Sequence, residues 1–203
     1  MSLFSEAEKK DIQEAVRAAE AHTAGELVIV LAERSDDYAP IRGTWALVLS
    51  FVVTELLRFA PIDDGWLLPL FALGVIPFYF LLGVGPLLRL VVPTRIKSAR
   101  VLERALRAFT EEGVTETRDR SGVLILLSEA EHQVVILADR GIHERVEAGE
   151  WEKDVQTLTS GLRQKRAAES LLEVIRRIGG LLESAFPAGE ENQNELPDAI
   201  RER

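Results

Sequence analysis

One apolar run, Trp66–Leu88 (WLLPLFALGVIPFYFLLGVGPLL), carries no charged side chain and limits the fold of this chain more than any other feature. As a helix its roughly 23 residues reach about 35 Å, against a hydrocarbon core of about 30 Å. A shorter run, Thr44–Leu57 (TWALVLSFVVTELL), precedes it and gains length by borrowing Arg58, Phe59 and Ala60. Between them, Ala60-Pro61-Ile62-Asp63-Asp64-Gly65 is a turn signal. Segment 44–92 therefore reads as a transmembrane helical hairpin. The alternative is a buried hairpin in a soluble core. That would ask a chain of 203 residues to hide the 33 apolar side chains of this segment as well.

The energetics favour insertion of the second run. Apolar residues gain roughly 0.3–0.6 kcal/mol each at mid-membrane, enough to outweigh the helix-disrupting residues. Pro69 falls in the first turn, where a missing N–H costs little. Pro77 is expected to kink the helix, and Gly83–Pro86 to bend or end it. The first run carries Glu55, and a carboxylate at a helix centre costs roughly 2.5–3.5 kcal/mol. Glu55 lies near the far end and one turn from Arg58, so the two can pair at the interface. Trp45 and Trp66 stand at opposite ends, as interfacial aromatics do.

Flanking charge orients the hairpin. Arg42 precedes it, and Arg89, Arg95, Lys97, Arg100 and Arg104 follow it. In the connecting loop Arg58 is opposed by Asp63 and Asp64. The basic side is expected to be cytoplasmic, which puts both flanking segments there. Arg89, Arg95, Lys97 and Arg100 suit anionic lipid headgroups. The first residues hold neither a basic n-region nor an apolar h-region, so no signal peptide is expected. The absence of cysteine excludes disulfides and thiolate metal sites. A net charge of −9 argues against nucleic acid as a partner. The expected partners are the lipid bilayer and other membrane proteins.

The remaining chain patterns as an α/β domain. Ser5-Glu6-Ala7-Glu8 is a capping box opening a helix to about Ala21. Glu26–Ala32, Gly122–Leu127 and Gln133–Ala138 are nearly continuous apolar runs, as expected of strands buried on both faces. The short turn Ser128–His132 makes the last two antiparallel. Thr94 can cap a helix to about Glu112 that turns Val101, Leu102, Ala105, Leu106 and Phe109 to the core. Trp151–Arg163 and Ala167–Phe186 are further helices. Segments 1–43 and 93–186 are expected to close into one domain, with 44–92 inserted. Segment 187–203 reads as a disordered acidic tail.

The strand order gathers polar residues at two ends of the sheet. One end holds Ser35, Asp36, Asp37, Ser128, Glu129, Glu131 and His132, and should face the bilayer. The other holds His22, Thr23, Arg118, Asp119, Arg120, Asp139, Arg140 and His143, and should face the cytosol. No phosphate loop, HExxH or G-x-S-x-G is present. Asp36 and Asp37 are weak metal candidates for Ca²⁺ or Mg²⁺, set against a helix-capping role. Arg118, Arg120 and Arg140 are anion-binding candidates. Asp139, Arg140 and Asp119 are the catalytic candidates, set against a structural Asp139 that caps a short helix, Ile142–Val146, or pairs with Arg118 or Arg120. The histidines lack ligand spacing.

The segments His22-Thr23-Ala24-Gly25-Glu26-Leu27-Val28-Ile29-Val30, Arg118-x-x-Ser121-Gly122-Val123-Leu124-Ile125-Leu126 and Val134-x-Ile136-Leu137-Ala138-Asp139-Arg140-Gly141-Ile142 resemble the TPM domain family. Trp151 and Ala185-Phe186-Pro187 fit a short bacterial branch with a membrane hairpin inside the domain. The resemblance implies an α/β/α sandwich around a small mixed sheet, and a place in a bacterial inner (cytoplasmic) membrane. Larger relatives are linked to acid phosphatase activity, calcium binding, photosystem repair and receptor accessory roles. Two functions follow as expectations. The first is a membrane-anchored cytoplasmic interaction or assembly domain. The second is a metal-dependent phosphatase.

Overall fold

The computed structural model describes residues 3–146, 149–188 and 195–202. The chain divides into two compact units, one built from residues 1–35 and 99–203 and the other from 36–98.

The first unit holds a four-stranded mixed sheet of order β3-β2-β1-β4. Strand β1 is Glu26–Ala32, β2 Gly122–Ser128, β3 Gln133–Ala138 and β4 Arg201–Glu202. β1 and β2 run parallel with Ile29 opposite Ile125, and β2 and β3 antiparallel with Ile125 opposite Ile136. Every residue of β1 and β2 is buried, because alternate side chains enter two separate cores. Leu27, Ile29, Leu31, Val123, Ile125 and Leu127 pack in one cluster with three helices: α1 (Glu6–Glu20), α7 (Glu150–Arg163) and α8 (Ala167–Ala185). Val28, Val30, Leu124 and Leu126 pack in the other with Val101, Ala105 and Ala108 of α5 (Thr94–Glu111). The arrangement is α/β/α-like, a mixed sheet with helices on both faces.

Local signals behave as their chemistry dictates. Ser5 and Glu8 form the capping box reciprocally, with Glu8 N–H donating to Ser5 Oγ at 3.3 Å and Ser5 N–H to Glu8 Oε2 at 2.8 Å. α5 begins at Thr94, but Pro93 supplies the carbonyl that accepts from Lys97 N–H at 3.1 Å, so Thr94 is inside the helix. Its buried stripe is also narrower than the periodicity suggested. Leu102 and Leu106 are exposed, and Ala108 takes the inward place.

The C-terminus differs most from expectation. Residues 189–194 and 203 of the expected disordered tail lie outside the described residues, but 195–202 return to the sheet. Arg201 and Glu202 pair parallel with Val30 and Leu31, Leu196 packs on one core and Ile200 on the other. Glu26 accepts backbone N–H bonds from Glu195 and Leu196 at 3.0 and 3.3 Å, and Arg17 Nε reaches Asp198 at 2.7 Å. The acidic composition concealed a segment whose two larger aliphatic side chains, Leu196 and Ile200, are each placed on a core.

The second unit is a helical hairpin. Helix α2 is Ala39–Leu57, α3 is Leu67–Leu81, and α4 is Gly85–Val91. Pro40 near its start lets α2 gain length at the N-terminal side rather than through Arg58–Ala60. The long apolar run breaks at Leu82–Val84, so it forms two helices. Asp63 caps the loop by accepting Gly65 N–H at 2.8 Å. A short helix, α6 (Arg140–His143), follows β3 in the first unit.

Candidate functional site

The turn 118–120 and the start of α6 form the basic end of the sheet. Thr23 ties this end to the chain's later part: its Oγ1 donates to the Phe186 carbonyl at 2.6 Å and accepts Gly25 N–H at 3.0 Å. Fully buried Ser121 donates to the Ala24 carbonyl at 2.8 Å. Gly141 N–H donates to the Arg120 carbonyl at 3.1 Å, and a Cβ at Gly141 would lie 2.6 Å from the Asp119 carbonyl oxygen. Only glycine allows α6 to sit that close. Arg120 occupies the left-handed region, φ 52°, which costs a non-glycine residue about 1 kcal/mol or more.

Asp139 is 8% exposed and caps α6, its Oδ1 accepting Arg140 N–H at 2.7 Å. Its Oδ2 has no hydrogen-bond donor among the described residues, and Arg120 Nη1 stands 3.8 Å away. Arg140 turns from this carboxylate to Glu144, 3.1 Å from its Nε. Arg118, Asp119 and His143 are exposed, and the backbone N–H of Arg118 donates to Glu195 at 3.0 Å. Asp139 and Arg120 are thus brought together, while the Arg140 side chain pairs elsewhere.

At the opposite end of the sheet, Ser35 and Ser128 share a hydroxyl hydrogen bond of 2.7 Å. Glu131 accepts from the Ser128 hydroxyl and, at 3.2 Å, from Ser35 N–H. In the hairpin unit, Asp36 accepts Tyr38 N–H at 2.8 Å and Asp37 accepts Ala39 N–H at 2.9 Å. Both aspartates order the chain around Tyr38, the N-cap of α2. Among the described residues no group of three or more His, Asp or Glu side chains is arranged to hold a metal ion.

The basic residues after the hairpin separate by environment. Lys97 is buried and donates to the Arg89 carbonyl at 2.9 Å, so it closes α4 rather than facing solvent. Arg100 pairs with Glu103 at 2.9 Å, and Arg95 is exposed on the first turn of α5.

Sequence reasoning missed the role of Arg42. It is buried inside the hairpin, where Nη2 donates to the Tyr79 carbonyl at 2.9 Å and Nη1 to the Asp37 carbonyl at 3.2 Å. The available signal was a charge one turn before an apolar run, opposite Gly83, which leaves room for the guanidinium. Glu20 was missed too. Burial pushes its carboxyl up to about 8, offset in part by the Leu27 N–H it accepts at 2.8 Å.

The turns at this end of the sheet now have structural partners, and a family comparison covers part of them. Residues 87–181 match the family model of the TPM domain. This TPM match takes in the 118–126 and 134–142 segments, whereas His22–Val30 and Ala185–Pro187 lie outside it. The fold is similar to the NMR structure of the BA42 protein from the psychrophilic bacterium Bizionia argentinensis. The TM-score is 0.64 at 20% identity, over 100% of this chain and 97% of that one. At that identity the likeness concerns the fold alone. Comparison with curated proteins gives no match.

Proposed function

We propose that this chain is a membrane-anchored TPM-like domain. Its hairpin crosses the bilayer and its α/β unit works at the cytoplasmic surface as an interaction or assembly factor for other membrane proteins. The observation that carries the anchor is an inverted burial pattern. α2 buries Arg42, Ala46, Ser50 and Thr54 and exposes Leu47, Phe51, Val52 and Leu56. α3 has no buried residue, and Leu68, Leu73, Ile76 and Phe80 are each more than half exposed. Water would penalise such a surface by roughly 25 cal/mol per Å² of apolar area, and lipid would not.

The helix contact supports the same reading. Ser50 Oγ donates to the Phe71 carbonyl at 2.6 Å, and a Cβ at Gly74 would stand 2.6 Å from that hydroxyl. Small residues and one interhelical hydrogen bond are the means by which helices associate in lipid. Two helical segments, Ala39–Leu57 and Asp64–Leu81, are long and apolar enough to cross a membrane. The exposed leucines of α5, Leu102 and Leu106, support the interaction role.

Extraction tests the anchor: the protein stays in the membrane pellet in alkaline carbonate and is released by detergent. Photo-crosslinkers at Leu102 and Leu106 test the role. Adducts with integral membrane proteins support it, and adducts with lipid alone oppose it.

Asp139 favours a second reading, a metal-dependent phosphatase, because its Oδ2 is buried near Arg120 with no hydrogen-bond donor among the described residues. A panel of phosphoesters assayed with Ca²⁺, Mg²⁺ or Mn²⁺ tests it. Turnover that is lost in Asp139→Asn supports this reading, and turnover unchanged by Asp139→Asn and Arg140→Ala removes that site.

A further inference from the structure

At the loop end of the hairpin lies a groove of about 470 Å³ between α2 and α3. Phe51, Leu67 and Phe71 form apolar walls, and Glu55, Arg58 and Asp64 line the same groove. Arg58 Nη1 lies 3.2 Å from Glu55 Oε2, and both side chains remain about half exposed. Asp63 holds the loop through Gly65 N–H, which fixes the approach to Asp64. Two carboxylates against one guanidinium leave the polar lining with one excess negative charge. This groove forms no part of the basic or serine-rich ends of the sheet.

We propose that this groove binds the headgroup of an aminophospholipid, a zwitterionic lipid with a primary ammonium. The proposal rests on the membrane reading given above. A guanidinium carries five N–H donors and Glu55 engages few of them, so Arg58 retains donors for the phosphodiester oxygens. The ammonium carries three donors and meets Glu55 and Asp64. The acyl chains continue along Phe51, Leu68 and Phe71, which already face outward or line the groove. Charge complementarity selects the occupant. A glycerol headgroup brings a phosphate but no cation, leaving the acids opposed to an anion. A choline headgroup brings a cation without an N–H donor. The loop end is therefore expected to prefer a different lipid from the basic flank at Arg95.

The test uses the full chain reconstituted in phosphatidylcholine vesicles containing equal amounts of phosphatidylethanolamine and phosphatidylglycerol. Native mass spectrometry after gentle detergent release counts the retained lipids. Phosphatidylethanolamine is expected to be retained about tenfold over either competitor, the effect of one charge-assisted hydrogen bond. The Glu55→Gln, Asp64→Asn double variant is expected to lose that preference while keeping wild-type helicity. Equal retention by the wild-type protein, or a preference for phosphatidylglycerol, overturns the headgroup site. If the protein enters vesicles and resists carbonate but shows no preference, only the site fails. If it does not enter vesicles, the membrane reading fails with it.

Discussion

Arg42 closes the base of the hairpin on Tyr79. Its Nε and Nη2 donate to the Tyr79 carbonyl at 3.3 and 2.9 Å, and its guanidinium carbon stands 4.3 Å from the centre of the Tyr79 ring. Tyr79 lies in the last turn of α3, where unpaired carbonyls carry partial negative charge. The cation is thus balanced by a helix end and a ring face. Arg42→Ala is expected to weaken hairpin association by about 1–3 kcal/mol. Arg42→Lys, which keeps charge but loses the fork, should fall between. Thermal unfolding in detergent reads both.

Asp154 and Arg177 join α7 to α8 by a two-pronged pair, with Nε to Oδ1 at 2.6 Å and Nη2 to Oδ2 at 2.7 Å. Asp154 is 1% exposed. Arg177→Ala strands a buried carboxylate and is expected to cost about 3–5 kcal/mol. The double change Asp154→Leu, Arg177→Met should cost less than Arg177→Ala. Urea unfolding of the detergent-solubilised chain measures the difference.

The strands and the helix starts were legible because their signals are local. β1 and β2 read as unbroken apolar runs because both faces are packed, and Ser5 with Glu8 is a reciprocal hydrogen-bond pattern that needs no distant partner. Leu102 and Leu106 misled because helical periodicity gives a face but not its width. The return of residues 195–202 was illegible for a different reason. Its stability comes from partners far along the chain, Arg17 and Glu26, and not from its own composition. In the site, Asp139 as a cap was readable from Asp139-Arg140-Gly141, whereas the pairing of Arg140 with Glu144 away from Asp139 was not.

Stability is expected to fall as pH rises from about 4.5 to about 8. Burial, with smaller contributions from nearby Glu26 and Asp198, raises the Glu20 carboxyl from 4.5 to about 8. The folded chain therefore holds a proton that the unfolded chain has already released, and each pH step in this window favours unfolding. Burial raises Glu26 as well, in the same direction. Glu20→Gln should flatten much of the decline. Melting temperatures measured across that window check it, and an unchanged slope in the variant contradicts the assignment.

Gly141→Ala places a methyl group 2.6 Å from the Asp119 carbonyl oxygen. The expected cost is about 1–3 kcal/mol, with the 118–121 turn displaced from Asp139. Hydrogen exchange should show faster exchange at Arg120 and Gly141 N–H while the β1 and β2 amides stay protected.

The central claim is that lipid surrounds α2 and α3 with the loop on the far side of the membrane. The chain contains no cysteine, so single substitutions report position without background. The decisive measurement is labelling of Asp64→Cys and Arg95→Cys in intact cells by a thiol reagent that cannot cross the inner membrane but reaches its outer face. The account predicts that Asp64→Cys is labelled at once and Arg95→Cys only after the membrane is opened. Labelling of Asp64→Cys only after opening, or recovery of the protein in the soluble fraction, would contradict it.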